Sequence, residues 1–416
     1  MEYKKVKLSE CCNSISDGDH LPPPKSQSGV PFITISNIDG DNQINFNGTM
    51  FVPDSYYDSL SEEKKARIGD ILYSVVGSFG KPVFIDFDKR FVFQRHIAIL
   101  KPNDKINSRY LYYVMLNPDF YYIADKMAIG AAQRTITLNS LRNTTVNLHD
   151  IAMQNAIVDV LSCIDKKIQC NNKINDNLQH QLKLMYDYWF TQFDFPDENG
   201  KPYRASGGAM VWCDALHQNI PVNWNISSLG EICSFKNGIN YEKDEIGNKQ
   251  YKIVNVRNIT ASQMLLDPNS FDTITLSDKK ADKYLIEAND FLIARSGSPG
   301  ATRLLIPSTI PTIYCGFIIC CSTSCELKNY IALTLKKLEI ANDTKSSGSI
   351  LKNVSQDTLK EIMLCIPQSK VLDSFNSKAN SIIQAMQVTI EENNTLTALR
   401  DWLLPMLMNG QATISD

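Results

Sequence analysis

Three short stretches early in the chain carry residue types suited to binding a polyanion or heterocyclic bases. Gly77-Ser78-Phe79-Gly80-Lys81 can bring backbone amides and an ammonium group to a phosphate. Gln94-Arg95-His96 offers amide, guanidinium and imidazole groups, which match the hydrogen-bonding edges of bases. Gln133-Arg134-Thr135, just after Gly130, forms a third candidate loop. Similar residues return far downstream: Arg295-Ser296-Gly297-Ser298 with Gly300, then Arg303, then Ser349 with Lys352-Asn353. Each stretch by itself also fits a polar turn with a solvated charge. Recurrence at matching places strengthens the chemical reading of the Gly-Ser loop and of the loop after Gly130.

Other chemistries fit less well. Adenine methyl transfer needs an Asp/Asn/Ser-Pro-Pro-aromatic motif, and Asn117-Pro118-Asp119-Phe120 lacks its second proline, so it reads as a helix cap or turn. Asp86-Phe87-Asp88-Lys89 has the acids and lysine of a metal-dependent nuclease but reads as a charged hairpin turn. There is no G-x-x-x-x-G-K-[ST] phosphate loop, and the five histidines are scattered. The eleven cysteines contain no C-x-x-C pair. Cys315, Cys320, Cys321 and Cys325 cluster around an apolar run, Ile313 to Thr323, which favours buried thiols over zinc.

The candidate residues recur because the whole chain repeats at a nearly constant offset. Leu8, Glu10 and Cys12 return in order and spacing as Leu229, Glu231 and Cys233. Gly77-Ser78-Phe79-Gly80 returns as Gly297-Ser298-Pro299-Gly300. Gly130 and Leu141 return as Gly348 and Leu359, again with their separation kept. The plan spans residues 3–185 and 224–403, and a repeat of this length points to two related surfaces in one molecule. Composition permits this in a soluble protein: 416 residues, 43% hydrophobic and 21% charged. The net charge of −3 excludes a polybasic protein but not a local basic patch. No apolar run reaches the roughly 20 residues of a membrane span, and Met1 to Lys7 lacks a signal-peptide core, so the expected location is the cytoplasm.

Within each copy, two kinds of segment alternate. Residues 1–150 read as strand-rich, with strand candidates at Val30 to Ile35, Ile71 to Val76 and Phe91 to Leu100, and a helix from Ser108 to about Lys126. Residues 151–190 contain no Pro or Gly. There Ile157, Leu161, Ile164, Ile168, Asn171, Asn175, Leu178, Leu182 and Met185 step by four and three, a heptad seam with a polar centre. At ~1.5 Å per residue it runs about 40 Å. A punctuated stretch at 191–223 cannot continue the helix. The plan restarts over 224–367, with strands expected at Lys252 to Val256, Phe291 to Ala294 and Ile313 to Cys321. Residues 368–410 repeat the seam as Phe375, Ala379, Ile382, Met386, Thr389, Asn393, Leu396, Arg400 and Leu403. The expected fold class is α+β. Two strand-rich globular domains in pseudo-twofold repeat alternate with two long helices, which pair as an antiparallel coiled coil.

At this point the chain resembles a known family, the specificity subunit of type I restriction-modification systems. The resemblance spans nearly the whole length. It rests on the alternation just described and on three strings. These are Tyr188-Trp189-Phe190-Thr191-Gln192-Phe193-Asp194-Phe195-Pro196 with its continuation to Gly208, Ile220-Pro221-Val222-Asn223-Trp224, and the Gly-x-x-x-Arg/Lys-x-Ile/Val element from Gly130 to Ile136 and from Gly348 to Val354. The family's Pro-Pro-x-x-Glu-Gln run before each helix is replaced here by His149-Asp150-Ile151-Ala152-Met153-Gln154 and by Ile366-Pro367-Gln368-Ser369-Lys370. The resemblance implies two target-recognition domains, each reading half of a bipartite double-stranded DNA site, with the helices as a ruler. It implies docking of two modification subunits that carry S-adenosylmethionine and methylate adenine. It also implies motor-nuclease subunits that use ATP and Mg²⁺, and no cofactor, metal or catalysis in this chain. The alternatives are a two-armed scaffold that does not bind DNA, or a nuclease or methyltransferase whose active site the motifs do not disclose.

Overall fold

The computed structural model describes residues 3–18, 22–40, 42–77, 79–130, 134–241, 247–344, 354–412 and 414. The chain forms two compact units, Met1–Ile168 with Thr395–Asp416, and Gln169–Asn394. Each long helix therefore contributes to both.

In the first unit, alternating apolar residues build a four-stranded antiparallel sheet, in the order Cys12–Asp17, Ile97–Pro102, Ile71–Ser74, Pro82–Phe84. A three-stranded sheet of Met50–Val52, Val30–Ile33 and Val92–Phe93 joins it. Lys4–Lys7 pairs with Thr145–Leu148, closing the start of the domain against its end. The second unit repeats the pattern. Asn225–Ser228 pairs with Met363–Ile366, and Ser234–Asn237, Ile318–Ser322, Asp290–Ala294 and Thr302–Leu305 follow in the same order.

Three expected elements are interrupted. The stretch from Phe91 to Leu100 is two strands, Val92–Phe93 and Ile97–Pro102, separated by a turn at 94–96. Ile313 to Cys321 breaks likewise into Thr312–Tyr314 and Ile318–Ser322. The helix expected from Ser108 to Lys126 is two helices, Ser108–Leu116 and Pro118–Met127. Pro118 lacks the N–H that a continuing helix requires, and the Asn117 side chain caps the second helix by accepting from the Asp119 amide at 3.1 Å. The strand at Ile71 ends at Ser74, and those at Lys249–Val254 and Asp290–Ala294 lie within a few residues of expectation.

The long helices run from Ile151 to Tyr186 and from Ser369 to Met408. In the first unit, Ile157, Leu161, Leu404, Leu407 and Met408 enter the core beside Tyr110, Leu111 and Tyr113. Asp165 there accepts from the Tyr113 hydroxyl at 2.6 Å and pairs with Arg400 at 3.2 Å. In the second unit the helices lie antiparallel through polar contacts. Asn171 donates to Asn393 Oδ1 at 2.9 Å and to Glu392 at 2.8 Å, while Thr389 donates to Asn175 at 2.5 Å. Leu178, Ile382 and Met386 pack in the core of that unit. Ile164 is buried, and Ile168 and Leu396 are half-buried.

The polar layer has a measurable consequence. Asn171 is fully buried, yet its Oδ1 has no hydrogen-bond partner. An unsatisfied buried acceptor costs about 1–3 kcal/mol. Replacing Asn171 and Asn175 by leucine is therefore expected to loosen the choice of register more than it lowers stability. Doubling of the Met386 methyl resonance in NMR spectra would show it, and a single sharp resonance would contradict it.

The string from Tyr188 to Pro196 forms an aromatic cluster. Phe190 lies 4.7 Å from Phe375 and 4.8 Å from Tyr330 between ring centroids, and Phe195 stacks on Trp224 at 5.2 Å. The residues that carry the family resemblance here build the core of the second unit.

Candidate nucleic-acid interface

The antiparallel order places one end of each four-stranded segment where several loops meet. In the first unit the end of Ile71–Ser74 and the start of Ile97–Pro102 coincide, so the 75–81 loop meets the 94–96 turn. The Val75 amide donates to His96 O at 2.9 Å. The Gly77 amide donates to Arg134 O at 3.0 Å, and the Ile136 amide to Val75 O at 3.0 Å. Thr135 pairs with both Val76 and Ile129. Three loops noted in the sequence thus form one hydrogen-bonded group. Gln133 and Ser78 lie outside the described residues.

The second unit rebuilds the main backbone bonds of the first two of these loops. The Gly80 amide donates to Ser74 O at 2.9 Å, and the Gly300 amide to Ala294 O at 2.9 Å. Val75-to-His96 is matched by the Arg295 amide donating to Phe317 O, also at 2.9 Å. Gly77 and Gly297 both hold a left-handed φ, at 72° and 80°. Ser349, Lys352 and Asn353 lie outside the described residues. The Ser355 side chain accepts from the Thr358 amide at 3.1 Å, as the Thr137 side chain does from the Ser140 amide at 3.0 Å.

A tight backbone contact pins each turn. A Cβ on Gly18 would lie 2.1 Å from Phe93 O, and one on Gly238 would lie 2.1 Å from Cys315 O. Gly18 and Gly238 occupy equivalent places in the two copies. Gly18→Ala and Gly238→Ala are each expected to cost about 1–3 kcal/mol, because backbone must move to admit the methyl group. Amide exchange should quicken at 94–97 in the first variant and at 315–318 in the second. Unchanged exchange there would contradict the contact.

The structure changes the roles of several candidates. The amides of Gly77, Gly80 and Lys81 are engaged by Arg134 O, Ser74 O and Ser74 Oγ, so they form no phosphate cradle. The Lys81 ammonium reaches Asp39 O at 3.4 Å from a half-buried position. Arg134 pairs with Asp125 at 2.6 Å on the surface. Arg303 leaves the candidate surface altogether. It is 5% exposed, donates to the carbonyls of Ile259 and Ser262 at 3.1 and 2.7 Å, and pairs with Glu339 at 3.0 Å.

The residues that remain outward are Arg95, with Gln94 and His96 half-buried beside it, and Arg295, Ser296 and Gly297, with Ser298 half-buried. Arg95 has no hydrogen-bond or charge partner among the described residues, and the Arg295 guanidinium donates among them only to Gly316 O at 3.3 Å. An offset of 220 in the sequence sets Cys315-Gly316 against Arg95-His96, and the turn bonds correct that pairing: Ile97-to-Gln94 matches Ile318-to-Cys315, so Gly316-Phe317 replaces Arg95-His96.

Sequence reasoning missed a cleft of about 460 Å³ in the second unit, lined by Asn240, Tyr241, Asn255, Arg257 and Phe317 among others. Phe317 there is 63% exposed. The repeat of Gly18 as Gly238 was the signal that could have located this turn.

No group of described His, Cys, Asp or Glu residues is arranged to hold a metal. Burial pushes the thiols of Cys315, Cys320 and Cys321 up, which keeps them protonated and unsuited to ligation. Asp86 and Asp88 lie in the connection between strands Pro82–Phe84 and Val92–Phe93, where Asp86 pairs with Arg109 at 3.3 Å. Among the described residues, no helix is long and apolar enough to cross a membrane.

Comparison with known proteins decides the family. The profile described as type I restriction modification DNA specificity domain matches residues 1–180 and again 221–396. The chain belongs to this family. The HindI specificity subunit of Haemophilus influenzae is 24% identical over 425 positions, covering 85% of this chain and 89% of that protein. The MjaIX specificity subunit of Methanocaldococcus jannaschii is 23% identical over 319 positions, covering 76% and 71%. The crystal structure of a type I restriction-modification S subunit from M. genitalium superposes with a TM-score of 0.53 at 17% identity, over 100% of this chain and 97% of that one. That likeness establishes the specificity-subunit fold. The double match coincides with the internal repeat, so each copy is one specificity domain with its helix.

Proposed function

We propose that this specificity-domain protein is the DNA-reading subunit of a type I restriction-modification complex. Each copy reads one half of a bipartite, asymmetric duplex site. The observation that carries this reading is the contrast within the repeat. Both copies keep the same backbone bonds around the 94–96 and 315–317 turns, yet one presents Arg95 and His96 and the other Gly316 and Phe317. Two readers of different half-sites should keep the scaffold and change the reading side chains.

The exposed Arg95 and Arg295 are suited to phosphates or to guanine edges. The helical segments would fix the number of unread base pairs between half-sites. They would also dock two modification subunits, which carry S-adenosylmethionine and methylate adenine. Motor-nuclease subunits, using ATP and Mg²⁺, would join for restriction. The chain would supply recognition and assembly, with the chemistry in its partners.

Methylome sequencing of cells with and without the gene tests the proposal. Adenine methylation at one split motif should disappear with the gene. An unchanged methylome with active partner subunits would contradict it. Retention of the assembled complex on duplex DNA should also fall steeply with added salt, because bound phosphates release counterions.

A further inference from the structure

The turn at Cys315-Gly316-Phe317 is rigid and ends in an unprotected ring. Its backbone is held by four bonds: the Cys315 amide to Val254 O at 3.0 Å, the Gly316 amide to Ile239 O at 2.8 Å, the Ile318 amide to Cys315 O at 2.9 Å, and the Arg295 amide to Phe317 O at 2.9 Å. A Cβ on Gly316 would come within 2.1 Å of the Asn240 Oδ1, so the turn sits tightly on that side chain. Phe317 is nevertheless 63% exposed, at the rim of the 460 Å³ cleft. A large apolar ring on a turn that cannot fold back stays in water until something covers it. The equivalent turn of the first unit presents Arg95 instead, exposed and free of partners among the described residues.

We propose that Phe317 is a specificity-determining residue that packs on the 5-methyl group of a thymine in the half-site read by the second unit. The proposal rests on the reading of this loop group as the DNA-facing end. Among the groups that distinguish the bases in the major groove, the thymine methyl is the apolar one, and the others are hydrogen-bond donors or acceptors. A phenyl ring makes no hydrogen bond, so the methyl is the base feature it selects. Arg295, whose amide fixes Phe317 and whose guanidinium reaches Gly316 O, places a cation beside the ring to meet a phosphate. The Asn240 amide lies against the same turn and is suited to a neighbouring adenine edge. The first unit has His96 at the place of Phe317 and Arg95 at the place of Gly316, and the Arg95 fork fits guanine.

The test uses the full chain assembled with its modification subunits. Binding sites are selected from a random duplex pool by the wild type, Phe317→Gln and Arg295→Ala. The wild type should fix a thymine in one half-site, and Phe317→Gln should lose that preference while the other half-site stays the same. Replacing this thymine by uracil, which lacks only the methyl, should weaken wild-type binding by about 4-fold and leave Phe317→Gln unaffected. Equal wild-type binding of the thymine and uracil duplexes would overturn the methyl contact. If Phe317→Gln selects the wild-type motif while Arg295→Ala weakens binding, Phe317 is not a reader, although the DNA-facing assignment stands. If neither variant alters selection or affinity, that assignment fails as well.

Discussion

Arg303→Ala is expected to destabilise the second unit by about 3–5 kcal/mol, the range for removing one partner of a buried ion pair. Its side chain is 6% exposed, and its partner Glu339 is 14% exposed. The guanidinium also satisfies the carbonyls of Ile259 and Ser262. The variant would leave both carbonyls without this donor, with Lys336 and the Thr302 amide left to face Glu339. The loss should be local. Amide exchange should rise across Thr302–Leu305 and around Ile259, while the unit built from Met1–Ile168 and Thr395–Asp416 keeps its protection. Joint replacement of Arg303 and Glu339 by methionine should recover most of the stability, since apolar residues of similar volume often substitute for a buried pair. A stable Arg303→Ala protein with an altered DNA motif would instead return Arg303 to the reading surface.

Arg303 also shows where sequence reading stops. A lone arginine near a Gly-Ser loop looks like a surface cation. Its strand neighbours Thr302 and Leu304 are ordinary, and its partner Glu339 lies on a different element well down the chain, so nothing local marks it as buried. The 94–96 turn was hidden for a different reason. Phe91, Val92 and Phe93 before it and Ile97 and Ile99 after it are good strand formers, and they mask a short break. That break is what brings Arg95 to the surface. The loop amides fell to the same limit, because the carbonyls that engage Gly77 and Gly80 come from Arg134, far along the chain, and from Ser74 across the turn.

What was legible has a period or a spacing. The four-three steps placed Leu161, Asn171 and Phe375 on two long helices, because burial on one helical face imposes that period. The nearly constant offset equates Lys4–Lys7 with Asn225–Ser228 and Thr145–Leu148 with Met363–Ile366, and each copy pairs its own two strands. Pro118 was a visible helix breaker that the apolar pattern around it outweighed.

The second large effect concerns function and the repeat itself. A hybrid chain, with residues 1–150 taken from a relative and 151–416 retained, should fold if the exchanged domain keeps its seat on the helices. That seat is defined within the first unit by Tyr110, Tyr113 and Val146 against Ile157, Leu161 and Leu404, and by the Tyr113 hydroxyl on Asp165. Such a hybrid should retain one half of the methylated motif and replace the other completely. The bonds around Gly300, Arg295 and Phe317 lie within Gln169–Asn394 and are untouched by the exchange.

Methylome sequencing of cells carrying this hybrid, beside cells carrying the original chain, tests the two-reader account most directly. The account predicts a split motif in which the half assigned to residues 1–150 is new and the other half is identical. A motif changed in both halves, or in neither, would contradict it.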